Sequence, residues 1–517
     1  MDKKSGVYYY LTDSSVQAGG FSAFAGVVFM YTTKGEVGKL TTVTAQNYKD
    51  IIGYDVGYNQ NYAGLDRMLS TVSKLEVLRC NLNPTVSYKV WSLDGDNVVA
   101  QDKLSYTTSD AVELSGGFDS VGTVWVSVNS PGTWSNNTYV CFSQGKFSNQ
   151  FILHHYTLEA GKPFPLNSYE FSTDPEADDY YKKVYFGDLV FGYKDVFPLG
   201  IVQDVSGGLP TEVGFFRLWE GTNGEKAVSG SDISPFLRSL DSSKSNVVVM
   251  NGFVESSLDP EGKNIIQTIV DYASSQDKSV FIDAPVIVDP GTQALVAGDD
   301  LFEWAQSMLS PEGQYAQVAA VPDRVTVAGI SVLIQPSVNL FLIYARMFGN
   351  YGHVNYPPAG PSYGVVSASN LMESNFALYG DDLKTNRINY LTSTSHGVCM
   401  WEYRTLYPKG ASDLSYANTP FILRDLKGRL ISFMENFSFR YTTPVDLLTI
   451  RSGLTSILDN FVQNYFLVGY TLTVPTFEEA QAAGRELDVG IDVAVINSAD
   501  VISLRVNLRN AADLRAV

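Results

Sequence analysis

The chain has 517 residues, 13% of them aromatic, and a net charge of -19 at pH 7. Its length predicts two to four domains with a large buried core. Its acidity argues against direct binding to nucleic acid or to an anionic membrane, because both need a basic footprint.

Gly6 to Leu11 (GVYYYL) is a short β-prone run, separated by the polar spacer TDSSVQAGG from the next apolar run, and it reads as an arm. The opening MDKKSGVYYYLTDSS has no apolar stretch of secretory length, so a chain made and kept in a cytoplasm is the expectation. Phe24 to Thr32 is an apolar β run ended by the turn Lys34-Gly35-Glu36. TAQNYKDIIG and Ala63 to Ser73 carry helical spacing, and Leu75 to Cys80 returns to strand, giving a small α/β unit over residues 24–82. From 83 to 235 aromatic and polar residues alternate between Gly, Asn and Pro turns, as in SYKVWSL, GTVWVSVNS, TYVCFSQ, FILHHYTL and YYKKVYFGDLVFGY, which predicts a β-rich module. Within it the turn SPGTWSNN has Pro131 and Gly132 to bend the chain, and local turn chemistry leaves Trp134 unexplained.

Asn246 to Val286 reads as βαβ, with strands VVVMNGF and SVFIDAPV around a helix whose apolar positions are Ile265, Ile266, Ile269, Val270 and Ala273. Pro444 to Val468 reads as a long helix, capped by Thr443 and stopped by Gly469. Its expected stripe is Leu447, Leu448, Leu454, Ile457, Leu458, Phe461, Val462 and Tyr465. In Val501 to Asn510, Ile502, Leu504, Val506 and Leu508 alternate with Ser503, Arg505, Asn507 and Arg509, the pattern of a strand with one buried face.

Catalytic signatures are weak. GPSYG fits GxSxG, but Pro357, Pro358 and Pro361 around it preclude the strand on which a nucleophile such as Ser362 must sit. His154 and His155 lack metal spacing and read as sheet residues, and Cys80, Cys141 and Cys399 are too scattered for a disulfide framework or a metal site. The acid pairs Asp178-Asp179, Asp299-Asp300 and Asp381-Asp382 leave a glycan-binding or glycan-cleaving surface protein as the alternative class, although adjacent carboxylates rarely face each other across a cleft. No catalytic residue, cofactor or metal is expected.

The order of these segments resembles the tail sheath proteins of contractile-tailed bacteriophages and related injection systems. SGVYYYLTDSSV stands where the family has a PGVY-like arm, with Ser5 in place of Pro. FAGVVFMYTTKGEVGKLTTVTAQNYKDIIG and LDRMLSTVSKLEVLRC are similar to the family's next two segments, and SPGTWSNN resembles a serine-proline-glycine-threonine-tryptophan-glycine-asparagine motif, with Ser135 in place of Gly. Further on, GNYGHVNYPPAGPSYG matches a proline-alanine-glycine loop at Pro357 to Gly360, and NRINYLTSTSHGVCMWEYRTL matches at Trp401, Arg404 and Thr405.

The resemblance implies an α+β multidomain fold. Its parts would be an N-terminal arm (1–23), the 24–82 unit, an inserted β-rich outer domain (83–235), a subtilase-like α/β domain without a triad (236–375), a tube-proximal C-terminal α/β domain (376–500) and a C-terminal arm (501–517). It implies a non-enzymatic homopolymer of stacked hexameric rings around a tail tube protein, bounded by baseplate and tail terminator proteins, in a virion assembled in the host cytoplasm. The arm strands expected to pass between subunits are Val7, Tyr8, Tyr9, Tyr10 and Leu11, and Ile502, Leu504, Val506 and Leu508. The tube-facing candidates are Asp446, Arg451, Asp459, Glu478, Glu479, Arg485 and Glu486.

Overall fold

The computed structural model describes residues 24–496, apart from 86–87, 93–104, 107–111, 114–122, 129, 137, 160–161, 173, 175, 179–198, 202–215, 219–220, 255–257, 328, 369, 410–411 and 485. Both arm strands, Val7–Leu11 and Ile502–Leu508, therefore lie outside the described residues, as do Asp179, Arg485 and the YYKKVYFGDLVFGY run.

One eight-stranded sheet organises the chain. Its strands are β1 (Gly26–Met30), β2 (Leu40–Val43), β3 (Leu75–Arg79), β4 (Val247–Val249), β5 (Ser279–Asp283), β6 (Ala316–Ala320), β7 (Ile388–Thr394) and β8 (Gly397–Trp401), in the order β8-β7-β6-β5-β4-β1-β3-β2. The six inner strands are parallel and the two outer ones antiparallel. A parallel strand is covered on both faces, which is why GVVFM, VVV and AQVAA are buried throughout. Segments on either side of the β-rich region thus close into a single sheet, where β1 pairs with β4 at Val27 opposite Val248. β7 and β8, drawn from sequence into a unit starting at 376, also belong to this sheet.

Helices α1 (Tyr48–Ile52), α2 (Tyr62–Leu69), α3 (Gly230–Leu237), α4 (Pro260–Ser275), α5 (Asp299–Ser307) and α6 (Pro336–Tyr351) accompany the sheet. All five apolar positions expected on α4 are buried. α6 is buried on nearly every side from Pro336 to Tyr344, so it lacks the one-sided periodicity by which a surface helix is recognised. Ile233, Phe236 and Leu237 of α3 join the main core, so the chain is back in that core before the boundary at 235 drawn from composition.

The β-rich region holds a four-stranded antiparallel sheet, Lys162–Ser172, Gln150–Glu159, Thr138–Gln144 and Phe216–Arg217, and a three-stranded one, Leu199–Ile201, Thr123–Val128 and Tyr88–Ser92. It enters and leaves side by side, through antiparallel bridges between Leu82 and Glu225 and between Thr85 and Thr222. The SPGTWSNN turn fastens it to the core. Ser130 Oγ accepts from the Gly35 amide at 2.7 Å, and the buried Arg79 donates to the Pro131 and Gly35 carbonyls, both at 2.7 Å. Gly132 has φ near 136°, and a Cβ there would overlap the Thr33 carbonyl oxygen. Trp134 Nε1 donates to the Ser130 carbonyl, and Lys34 Nζ sits 4.3 Å from the centre of the ring. The Trp therefore clasps the Lys34-Gly35 turn of the core from the side of the insert.

A second hydrophobic core lies beyond the sheet. It is formed by α7 (Asn418–Met434), α8 (Pro444–Gln463), α9 (Phe477–Ala482) and the hairpin Leu467–Thr473 with Gly490–Val495. α7 bridges the two cores: Phe421 packs in the first, and Ile422, Leu426 and Leu430 pack in the second.

Candidate assembly surface

The carboxyl ends of the parallel strands, where open α/β sheets commonly hold ligands, are filled by side chains that tie loops together. Asp283 accepts from the Gly252 amide and from the Ser337 amide at 2.7 Å each, and from Ser337 Oγ at 2.9 Å. Burial pushes this carboxyl up to about 6 in spite of those donors. Asn59 donates to the Tyr31 carbonyl, and the Tyr62 hydroxyl donates to the Ile52 carbonyl. Ser362 is exposed on a short helical turn, Gly360–Tyr363, and does not top a strand. His154 links Ser143 and Ser168 across three strands, while burial pushes His155 down to about 4. Asp299-Asp300 and Asp381-Asp382 occupy first turns of helices, where the helix dipole favours negative charge.

The second core carries the more informative surface. Arg424 on α7 reaches beneath the sheet to the Ser279 hydroxyl at 3.3 Å and the Asn246 carbonyl at 3.5 Å, and Lys427 pairs with Asp277 at 3.7 Å. Desolvation raises the Asp277 carboxyl to about 6, outweighing those nearby cations. Asp425, also on α7, accepts from Asn355 Nδ2 at 2.9 Å and from Arg429 at 3.0 Å. α8 packs closely on α7 because Gly453 leaves room for the Phe433 ring, with which any Cβ would overlap.

Two expectations for α8 need correction. The helix ends at Gln463, not Val468: Asn464 caps it, Tyr465 turns left-handed at φ 60°, and Gly469 lies inside the following strand beside a bulge. Its buried stripe is Leu447, Ile450, Leu454, Leu458 and Phe461. Leu448 and Tyr465 are instead 67% and 76% exposed, Leu448 because it sits about 100° round from Leu447 and Tyr465 because it lies past the helix end.

Most of the charged candidates on this unit are engaged within it. Asp446 closes a capping box with Thr443, accepting from its hydroxyl at 2.6 Å, and pairs with Arg440 at 3.4 Å. Glu479 does the same with Thr476, and these hydrogen bonds hold both carboxyls below the usual range. Arg451 donates to the Val474 carbonyl at 3.1 Å, and Asp459 accepts from the Tyr470 hydroxyl at 2.7 Å. Glu478 and Glu486 are exposed. The spacings Thr-x-x-Asp and Thr-x-x-Glu already mark capping boxes in the sequence, so the roles of Asp446 and Glu479 were open to reading there.

The sequence reading did not single out an exposed apolar group on this unit. Phe439, Tyr441, Val445 and Leu448 are 87%, 95%, 70% and 67% exposed. α8 then continues outward through Ser452, Ser456, Asn460 and Gln463. Beside it, the loop Gly352 to Asn355 together with α7 and Ile457 of α8 encloses a cleft of about 700 Å³.

No family model matches the chain, and no curated protein does. Among solved structures, the sheath tail protein of Desulfitobacterium hafniense superposes with a TM-score of 0.54 at 13% identity, covering 91% of this chain and 93% of the other. The sheath tail protein of Listeria innocua superposes with a TM-score of 0.55 at 11% identity, covering 93% and 96%. The structural neighbours are thus tail sheath proteins, and this chain shares their mixed α/β, multi-sheet fold over nearly its whole length.

Proposed function

We propose that the chain is a structural subunit of a contractile tail sheath. It polymerises as stacked hexameric rings around a tail tube and shortens to drive that tube through a host envelope. The observation that carries this reading is the shared fold, which spans more than nine-tenths of both this chain and each sheath tail protein. On this reading the eight-stranded sheet with its helices is the subtilase-like core, the β-rich insert faces outward, and the second core, built on α7, α8 and α9, lies nearest the tube. Glu478 and Glu486, both exposed, stand as charged candidates for the tube beside Asp446, Arg451, Asp459 and Glu479, which also bond within the unit. Baseplate and terminator proteins bound the polymer within a virion assembled in the host cytoplasm, and no cofactor takes part.

The arms join neighbouring subunits. The hairpin Leu467–Thr473 with Gly490–Val495 is two-stranded among the described residues, so each strand offers an outer edge to an added strand. Burying Ile502, Leu504, Val506 and Leu508 contributes roughly 1.5 to 3 kcal/mol each, against about 1 to 2 kcal/mol per ordered residue. One arm is close to break-even, and many arms in a lattice hold firmly through effective concentration.

Negative-stain electron microscopy of the full chain and of a chain lacking residues 501–517 tests both statements. Tubes or stacked rings from the full chain alone are the expected result. Tubes from both samples would remove the role of the second arm and leave the sheath reading standing. Dispersed particles from the full chain, even with tail tube supplied as a template, would overturn the sheath reading.

A further inference from the structure

Copies of a chain with net charge -19 repel one another, so a lasting contact between them forms where charge is absent or already paired. Two surfaces of the second core meet that condition. The first is a knob. Tyr441 and Phe439, at 95% and 87%, are the most exposed large apolar side chains among the described residues, and Arg440 between them is paired with Asp446 at 3.4 Å. The second is the cleft of about 700 Å³ beside α7, whose one carboxylate, Asp425, is already bonded by Arg429 and Asn355. Val354, Phe433 and Ile457 supply its apolar lining. At its inner wall Asn355 is buried and its Oδ1 has no partner among the described residues, which leaves an acceptor in want of a donor.

We propose that the Phe439–Tyr441 loop of one copy seats in this cleft of a second copy, with the Tyr441 ring against Val354, Phe433 and Ile457 and its hydroxyl donating to Asn355. A ring and a phenol satisfy an apolar lining and a lone acceptor together, and neither introduces charge. Knob and cleft are different surfaces of the same chain, so the contact repeats head-to-tail unless two copies close it reciprocally. The inference rests on the sheath reading only in taking a second copy as the partner.

Site-directed cross-linking tests it. In a Cys141→Ser background, which removes the one described cysteine that is not buried, Tyr441→Cys is mixed with differently tagged Ser432→Cys, Ser432 lying on the cleft wall. The control partner is Val228→Cys, an exposed site in another part of the fold. The expected result is a disulfide-linked heterodimer at about ten times the control yield, falling to the control level when Phe439→Ala and Asn355→Ala are added. Equal yields with both partners overturn the proposal, as does a yield that survives those two substitutions. Preferential cross-linking without tubes retains the contact and removes the sheath reading, whereas tubes without preferential cross-linking do the reverse.

Discussion

Asp283 shows how one buried group sets a pH dependence. Its carboxyl sits near 6 because burial disfavours the charge more than three donors favour it. The folded chain therefore holds this proton more tightly than the unfolded one, whose Asp titrates near 3.8. The stabilisation from protonation is complete below about pH 4 and is lost as pH rises through about 6. Asp283→Asn keeps the shape but turns an amide toward backbone donors, so it should cost about 1 to 3 kcal/mol. Urea unfolding of both proteins should show that difference widening as pH falls from about 6 to about 4, and a difference independent of pH would contradict the assignment. Arg79 is the other decisive residue. It joins the Gly35 turn to Pro131 of the insert, and Arg79→Leu takes the donor from the Pro131 carbonyl and leaves the Gly35 carbonyl with Ser130 Oγ alone. A loss of about 2 to 4 kcal/mol is expected in the same assay. The sequence displayed the SPGTWSNN turn without its partner, because Lys34 and Trp134 are a hundred positions apart and no local pattern couples them.

Among the elements, α8 separates what periodicity can tell from what it cannot. Its start was legible, since Thr443, Pro444 and Asp446 compose a cap whose parts are adjacent in the chain. Its end was not, because Phe466 and Leu467 continue the apolar pattern while in fact filling the second core from the turn after the helix and the first residue of the next strand. The corrected stripe makes a direct test by thermal or urea unfolding. Leu454→Ala removes a buried side chain and should cost about 2 to 5 kcal/mol, whereas Leu448→Ala, predicted from the sequence to be equally buried, should change stability by no more than about 0.5 kcal/mol. Equal losses at both sites would restore the original stripe. Strands β1, β4 and β5 were readable for the opposite reason, as their unbroken apolar runs come from burial on both faces. α6 was missed on the same grounds: it is apolar on nearly all sides and shows no face.

Across the whole molecule, distant segments meet in one sheet, and the order of motifs along the chain pointed to that fold although no single motif did. The candidate site was less legible. Formal charge drew attention to Asp446, Arg451, Asp459 and Glu479, yet each bonds inside its own unit, while the exposed apolar side chains Phe439, Tyr441, Val445 and Leu448 carry no charge to draw notice. That distribution fixes the sign of a salt effect. If opposite charges joined the copies, added salt would weaken assembly. Here the contacts proposed are apolar or backbone-mediated and the long-range term is repulsion between chains of charge -19. Raising NaCl from about 0.1 M to about 1 M shortens the screening length from about 10 Å to about 3 Å, which removes repulsion and leaves the contacts intact. Sedimentation velocity should therefore show association strengthening several-fold over that range. Association that weakens steadily with salt would mean that charged pairs carry the interface and that the apolar side chains around Tyr441 do not.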